Sequence, residues 1–406
     1  MRLVALLLVA LTEAALARPV RGLVFEDTNG DGRPSVGERG VPNAVVAYDV
    51  LVFAEASATG EYALDVPEAG NGIVWVRVPD GFEPGPAWAR AGGATVDIPL
   101  RRASRDASAT TFVIASDTHI TGVQPFAHDL GTVAADATAL VPAPAFFTIL
   151  GDITQSNTEE QFALVDASLA GLGVPYVPVP GNHDWYDGGA AWFAHYGPDN
   201  YSFDIGRTHF VVWNMSMPTA DIIRYLGAEL ARVAPDMTVV ALTHAPPVPE
   251  ILTALRTLGV DYVLSGHTHT NRAVDHDGLV ELTTEPLLMG GLDLSPAGYR
   301  VATIDRTGAL MTYHRTVVDE PQLAVIAPAR GACVPTTGGT VIVAAELDAG
   351  TASLHARVDC ATPIALRYAG GWSWRATLPT LPPGPHTLLV DARAPSGARI
   401  TRATTF

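Results

Sequence analysis

Five short polar clusters in the middle of the chain contain the residue types that bind divalent metals. They are Asp117-Thr118-His119, Gly151-Asp152, Gly181-Asn182-His183-Asp184, His244 and His267-Thr268-His269. Carboxylate oxygens and imidazole nitrogens form the mixture of ligands that Zn, Mn or Fe prefers. Alternate side chains of an extended segment point the same way, so both ends of an Asp-x-His or His-x-His cluster can reach one site. The clusters therefore predict a metal centre.

Each cluster follows a short apolar stretch of the kind found in buried strands. The stretches are TFVIAS, AFFTIL, VPYVPV, TVVALT and DYVLSG, and helical segments such as TEEQFALVDASLAGLG lie between them. This alternation predicts an α/β region over residues 111–318. Because ligands of such sheets bind beyond the carboxyl ends of the strands, we expect all five clusters on one edge.

The charges at this edge favour a phosphate substrate. Two divalent ions would bring a charge of about +4, and two aspartates and a hydroxide would remove about 3. Paired ions about 3.5–4 Å apart can clamp both the attacking and the leaving oxygen of a displacement at phosphorus. The chain as a whole carries a formal charge of −17, so a general affinity for nucleic acid or anionic membranes is not expected.

The ordered set Asp-x-His, Gly-Asp, Gly-Asn-His-Asp, His and Gly-His-x-His resembles the calcineurin-like metallophosphoesterases. The resemblance implies a β-sandwich core flanked by helices and two divalent metals, Mn, Fe or Zn. One metal would bind Asp117, His119, Asp152 and His269, and the other Asp152, Asn182, His244 and His267. Asp152 would bridge the metals, with a shared hydroxide as the nucleophile. His183 would protonate the leaving oxygen or stabilise the transition state, oriented by Asp184.

Departures from the family pattern narrow this prediction. Purple acid phosphatases have a tyrosine three residues after the Gly-Asp aspartate, where this chain has Gln155. Ser/Thr protein phosphatases have an arginine beside the Asn-His pair, where this chain has Asp184 and Trp185. We therefore expect a hydrolase of small phosphate mono- or diesters. The alternative is a non-catalytic cell-surface or glycan-binding protein with a degenerate phosphoesterase scaffold.

Two β-rich regions flank the centre, and an export signal precedes them. Short alternating runs predict all-β sandwiches over residues 18–100 and 319–406, with a linker at 101–110. This layout resembles that of secreted bacterial phosphoesterases. Residues 1–17 combine Arg2, a short apolar core and an Ala-Leu-Ala cleavage site, which is typical of a signal peptide. The mature protein is thus predicted to be secreted or periplasmic, without a membrane anchor.

The stretch DTNGDGRPSVGE has the spacing of an EF-hand calcium loop. Its ligand positions are Asp27, Asn29, Asp31, Arg33 and Glu38. Strand-like RGLVF precedes the loop, and Gly40 and Pro42 after it oppose a helix. We therefore predict a structural calcium site between β-strands, as in the calcium-loop sandwiches of bacterial surface proteins that it resembles. An Asp/Gly turn without metal is the alternative.

The sequence has two cysteines, Cys333 and Cys360, both near its end. In an oxidising compartment such a pair is expected to form a disulfide. Two separate buried thiols are the alternative.

Overall fold

The computed structural model describes residues 17–67, 70–93, 95–103, 109–122, 126–316, 322–346, 353–370, 372–393, 397 and 399–406. The predicted signal peptide lies outside these ranges except for Ala17, and so do residues 104–108 of the predicted linker. Within these ranges, no helix has both the length and the apolar character needed to cross a membrane.

The N-terminal region consists of strands in two small sheets. The strands are β1 (Ala17–Glu26), β2 (Val45–Tyr48), β3 (Val52–Glu55), β4 (Glu61–Pro67), β5 (Ile73–Val76), β6 (Ala87–Arg90) and β7 (Ile98–Leu100). One sheet has the order β4-β1-β7 and the other β3-β2-β5-β6. Every second residue of β4 is buried, as expected for a strand with one face on a core.

The central region contains two larger sheets and five helices. Its elements are β8 (Thr110–Ala115), α1 (Phe126–Thr138), β9 (Phe147–Leu150), α2 (Glu159–Leu169), β10 (Tyr176–Val179), α3 (Ala190–His195), β11 (Tyr201–Ile205), β12 (Thr208–Val212), α4 (Thr219–Leu230), β13 (Thr238–Leu242), α5 (Pro249–Thr257), β14 (Tyr262–Ser265), β15 (Arg272–His276), β16 (Leu279–Thr283), β17 (Gly298–Ile304) and β18 (Leu310–Thr316). The sheet orders are β10-β9-β8-β17-β18 and β11-β12-β13-β14-β16-β15. The predicted α/β fold is thereby confirmed.

The two central sheets pack face to face through aromatic rings. Phe112 and Phe146 come from the segments of β8 and β9, and their rings lie 5.4 and 5.1 Å from the ring of Phe210 in β12. On the outer face of the first sheet, Phe162 of α2 is fully buried in a second apolar cluster. Strands β8, β9 and β10 run parallel, as do β12, β13, β14 and β16. Their carboxyl ends therefore meet at one edge.

The N-terminal region shares its core with the six-stranded central sheet. Val78, just after β5, forms a parallel bridge with Phe203 of β11, and both are in one buried cluster that includes residues of both regions. Next to this bridge, the buried Arg77 donates from Nε to Glu229 of α4 at 2.8 Å. The predicted separate sandwich is therefore continuous with the central core.

The C-terminal region forms two further four-stranded sheets. Its strands are β19 (Gln322–Ala327), β20 (Thr340–Glu346), β21 (Ser353–Val358), β22 (Ile364–Ala365), β23 (Arg367–Gly370), β24 (Ser373–Thr377), β25 (Thr387–Arg393) and β26 (Arg399–Thr405). The sheet orders are β19-β20-β24-β23 and β22-β21-β25-β26. Their inner faces enclose a separate apolar cluster. The ring of Trp372 lies 4.8 Å from that of His314 in β18.

The predicted disulfide is not formed. Cys333 and Cys360 are both free and exposed. Cys333 lies between β19 and β20, whereas Cys360 follows β21, and these strands belong to different sheets. The spacing of the two cysteines in sequence carried no information about which sheet each one would join.

Candidate metal centre

The loops after the five predicted strands run together at the shared edge. The amides of Asp117 and His119 donate to the carbonyls of Gly151 and Asp152, at 3.1 and 2.9 Å. In the other sheet, the amide of Gly266 donates to the carbonyl of His244 at 2.8 Å. These bonds join the loops in pairs, so each motif is held by its neighbour as well as by its own strand.

The first group of ligand atoms comes from the loops after β8 and β14. His269 Nε2 lies 3.3 Å from Asp117 Oδ1 and 3.3 Å from His119 Nε2. These three side chains form a grouping whose ligand atoms all lie within 4.8 Å of one another. They are three of the four residues predicted for one metal.

The second group is built around Asp152. His244 Nε2 lies 3.1 Å from Asp152 Oδ2 and 3.2 Å from His267 Nδ1. The same Asp152 oxygen is 3.8 Å from His119 Nε2, so Asp152 stands between the two groups. In the described part of the chain, every grouping of three or more metal-capable side chains lies at this edge.

Unpartnered atoms show that the donor set fits cations. Asp117 Oδ1 and Asn182 Oδ1 are buried and have no hydrogen-bond partner. The other Asp117 oxygen accepts from Ser116 Oγ at 2.5 Å and from the amide of His267 at 3.0 Å. Leaving a buried acceptor unpaired costs about 1–3 kcal/mol, and a bound cation would remove that cost.

The imidazole of His244 is held in the orientation that a metal ligand needs. Its Nδ1 donates to the carbonyl of Leu150 at 2.7 Å, which leaves Nε2 facing Asp152. Such a bond fixes the tautomer of a ligating histidine. Of the predicted ligands, His244 followed from the loosest sequence match, and the structure places it with the others.

The backbone at the ligands is strained. Left-handed φ values occur at Asp117 (51°), His119 (44°), Asp152 (49°), His267 (66°) and His269 (51°). Residues other than glycine rarely adopt this conformation, and each instance costs about 1–3 kcal/mol. Strain of this kind clusters at functional sites, where it aims side chains that a relaxed loop would turn elsewhere.

Two glycines of the motifs are required by close approach. A Cβ at Gly181 would lie 2.1 Å from the amide nitrogen of Asp152, and a Cβ at Gly266 would lie 1.8 Å from Ser116 Oγ. Any side chain at either position would push two ligand loops apart. The Gly-Asn and Gly-His pairs of the sequence are thus explained by packing.

The electrostatics of the site reflect its crowded carboxylates and imidazoles. Burial opposes the charged form of His244, but the hydrogen bond to Asp152 and the charges of Asp117 and Asp152 outweigh it and raise the pKa of His244 to about 9. Burial also opposes ionisation of Asp152, yet the His244 partner holds the pKa of Asp152 below its usual value. Without metal, the site therefore attracts protons to the positions that cations would occupy.

The predicted partnership between His183 and Asp184 is wrong. The Asp184 carboxylate is fully buried and accepts from the amides of Thr154 and Gly181 at 2.8 and 3.0 Å. Because it is buried, the pKa of Asp184 is raised to about 6. Asp184 thus anchors the loops after β9 and β10 through their backbone amides, whereas the described contacts of the His183 ring are to other residues.

His183 instead contacts two oxygens that the sequence did not single out. Its Nδ1 lies 2.8 Å from the carbonyl of Gln155 and 2.8 Å from the hydroxyl of Tyr186. Its Nε2 lies 3.9 Å from Asp152 Oδ2, on the side of the ligands. The one signal in the sequence was the position of Tyr186, three residues after His183 in a turn.

The calcium-loop residues lie between two strands, without a flanking helix. Asp27 Oδ1 and Asp31 Oδ1 accept from the amides of Gly30 and Arg33 at 2.7 and 2.8 Å. Glu38 closes the loop by accepting from Thr28 N at 2.9 Å, and Asn29 Oδ1 accepts from the amide of Asp31. The side chains thus hold a compact turn between β1 and β2.

Comparison with known proteins places the central region among phosphoesterases. Residues 110–271 match the family model described as calcineurin-like phosphoesterase. The matched segment contains all seven predicted ligands and both predicted catalytic residues. The predicted resemblance to this family is thereby confirmed for the matched segment.

The solved structures to which part of the chain is similar are remote in sequence. GAP50, the anchor in the inner membrane complex of Plasmodium, is 13% identical with a TM-score of 0.41, covering 52% of this chain and 85% of that one. A novel archaeal phosphodiesterase is 13% identical with a TM-score of 0.32, covering 51% and 100%. The sulfate thiohydrolase SoxB of Thermus thermophilus is 16% identical with a TM-score of 0.37, covering 51% and 56%. No curated protein sequence matches the chain.

Proposed function

We propose that the chain hydrolyses small phosphate mono- or diesters at a centre of two divalent transition-metal ions, Mn, Fe or Zn. The observation that carries this proposal is the convergence of aspartate, asparagine and histidine side chains from five strand ends, with Asp152 between the two groups. One ion would be held by Asp117, His119, Asp152 and His269, and the other by Asp152, Asn182, His244 and His267. When bound, such ions supply Lewis-acid polarisation of phosphate oxygens and a hydroxide nucleophile at neutral pH.

The chain's own residues supply orientation and a proton. Asp184 ties the loops that carry Asp152 and Asn182 through backbone amides, which keeps their oxygens in place. His183 is 23% exposed and presents Nε2 toward Asp152, where a substrate oxygen can reach it. A proton on Nε2 can pass to the leaving oxygen as the P–O bond breaks. The reaction then releases an alcohol and a phosphate.

The second hypothesis, a non-catalytic surface or glycan-binding protein, has less support. A scaffold without chemistry gains nothing from left-handed backbone at five ligand positions, which lowers its stability. Nor does it gain from the buried, unpartnered oxygens of Asp117 and Asn182. Absence of hydrolysis across mono- and diesters with Mn, Zn and Fe supplied would favour this hypothesis instead.

The experiment that tests the proposal is a His183→Asn variant assayed with separate mono- and diester substrates. Metal content should stay at the wild-type value, and turnover should fall by about 10²–10⁴, the usual contribution of a general acid. His276→Asn is the control, because His276 lies on β15 with Glu281 as its partner. Full activity of His183→Asn would remove this residue from the mechanism.

We further propose that the chain is exported and that the loop from Asp27 to Glu38 binds calcium. Cleavage after Ala17 would leave Arg18 to begin β1, and an N-terminal sequence of the mature protein would test this. Gly32, at the sixth position of the loop, has a φ of 72°, as the sharp turn of such loops requires. The calcium would be structural and separate from the catalytic metals.

A further inference from the structure

Tyr186 is exposed, yet its hydroxyl has a defined partner beside the metal centre. Its side chain is 61% exposed, and the hydroxyl oxygen lies 2.8 Å from His183 Nδ1. The two rings are 5.2 Å apart and tilted by 60°. The contact therefore joins an exposed tyrosine to the imidazole of His183.

The Gln155 carbonyl is the second oxygen at His183 Nδ1, and it determines which ring nitrogen carries the hydrogen. The Gln155 carbonyl, 2.8 Å away, can only accept, so Nδ1 carries a hydrogen. The Tyr186 hydroxyl oxygen shares that hydrogen as a second acceptor. Nε2 then lies on the side of the ligands and faces Asp152 Oδ2 at 3.9 Å.

In the described part of the chain, no carboxylate bonds to Nδ1 of His183. The Asp184 carboxylate is occupied by backbone amides, and the Gln155 side-chain nitrogen is 3.4 Å from Nδ1. Orientation of the ring therefore depends on one main-chain carbonyl and one phenolic hydroxyl. Of these two, only the hydroxyl belongs to a side chain that can be replaced.

We propose that Tyr186 is a positioning residue for His183, whose hydroxyl keeps Nδ1 as the donor and Nε2 directed at the leaving oxygen. This proposal rests on the proposed function. In the reaction, a water-derived hydroxyl forms the new P–O bond, the ester P–O bond breaks, and the His183 Nε2 proton goes to the departing oxygen. The hydroxyl of Tyr186 is bonded to His183 Nδ1, so in this proposal it affects how well that proton is delivered.

The dependence on the leaving group distinguishes positioning from a structural role. An alkoxide is a poor leaving group and needs the proton, whereas 4-nitrophenolate leaves well without it. Tyr186→Phe removes only the hydroxyl and leaves the exposed ring in place. It should slow kcat for an ethyl ester about 10-fold and for a 4-nitrophenyl ester less than about 2-fold. KM should be unchanged for both.

The experiment compares wild type, Tyr186→Phe and Tyr368→Phe on an ethyl and a 4-nitrophenyl ester of the same phosphate type. Tyr368 is the matched control, because it is also 61% exposed and packs on Trp374 in the C-terminal region. Metal content is measured for all three proteins. Equal slowing of the two esters by Tyr186→Phe, or no slowing, would overturn the positioning role alone. If the wild type hydrolyses neither ester, the proposed function itself fails and this inference fails with it.

Discussion

The two β-rich regions at the ends of the chain share a pattern of short alternating runs but differ in how they join the centre. The N-terminal region shares a core with the six-stranded sheet, and the Arg77–Glu229 pair is buried where they meet. The C-terminal region encloses its own core, and Trp372 contacts His314 at its boundary. We therefore expect the first region to stabilise the candidate metal centre, and the second to unfold as a separate unit.

The difference has a sequence signal that is visible in one strand of each region. All residues from Ile73 to Val78 are buried, so the segment IVWVRV has two covered faces. In β21, burial alternates along Ser353–Val358, which leaves one face to solvent. The segment is apolar except for Arg77, but the sequence does not show that β11 and α4 cover its second face, and it therefore predicts a separate sandwich.

The largest effect that tests this comparison is expected from Arg77→Ala. The substitution leaves the Glu229 carboxylate buried without its partner, which costs about 3–5 kcal/mol. Thermal unfolding should show the N-terminal and central regions melting together at a lower temperature, with loss of hydrolysis in the same transition. Arg399→Ala, which removes the exposed partner of Asp391 in the C-terminal region, should leave the melting temperatures almost unchanged. Melting of the N-terminal region while hydrolysis survives would contradict the shared core.

A pair of leucine truncations sharpens the comparison. Leu354 and Leu64 are 1% and 2% exposed, and they lie in the C-terminal and the shared core respectively. Truncation of either to alanine should cost about 2–5 kcal/mol through lost contacts and a cavity. In calorimetry, Leu354→Ala should lower the temperature of a transition that leaves hydrolysis intact. Leu64→Ala should lower the temperature of the transition in which hydrolysis is lost. A single transition for the whole chain would contradict the division.

Calcium should distinguish the two regions with a smaller effect. If the loop binds with a Kd of about 10 μM, calcium at about 1 mM stabilises the shared unit by about 2.7 kcal/mol. Asp31→Ala should abolish this shift without changing turnover. The C-terminal transition should stay at the same temperature with or without calcium. An equal shift in Asp31→Ala would show that the ion binds elsewhere.

The smallest expected effect is a pH dependence at Asp49. Burial raises the pKa of Asp49 to about 7, and Asp199 of the central region adds repulsion. The folded state therefore binds the Asp49 proton more tightly than the unfolded state does. The stabilisation of the fold by this proton is complete below about pH 4 and is lost as the pH rises through about 7. Asp49→Asn stays neutral and tolerates the φ of 49°. At about pH 8 it should be more stable than wild type by about 1 kcal/mol, after allowance for solvent screening. Urea titrations of both proteins at about pH 4 and about pH 8 check this. An equal difference in stability between the two proteins at both pH values would contradict it.

The metal motifs could be predicted from the sequence because each one is local. Asp117, Asp152 and His267 directly follow apolar runs that become β8, β9 and β14, and parallel strands bring such positions together. The partner of His183 could not be predicted in this way. Asp184 is adjacent in sequence, but its carboxylate finds the amides of a different loop, and that choice depends on the folded turn. The disulfide could not be predicted either, because whether Cys333 and Cys360 approach each other depends on how the C-terminal strands pack.

The most direct test of the metal centre is elemental analysis of Asp152→Asn beside wild type, with hydrolysis measured on the same samples. Asp236→Asn is the control, since Asp236 is an exposed carboxylate of the central region that pairs with Arg207. We predict two metal equivalents in wild type and in the control. Asp152→Asn should lose metal. Its affinity for metal and its turnover should both fall by about 100-fold or more. Unchanged metal content and turnover in Asp152→Asn would contradict a centre built around this aspartate.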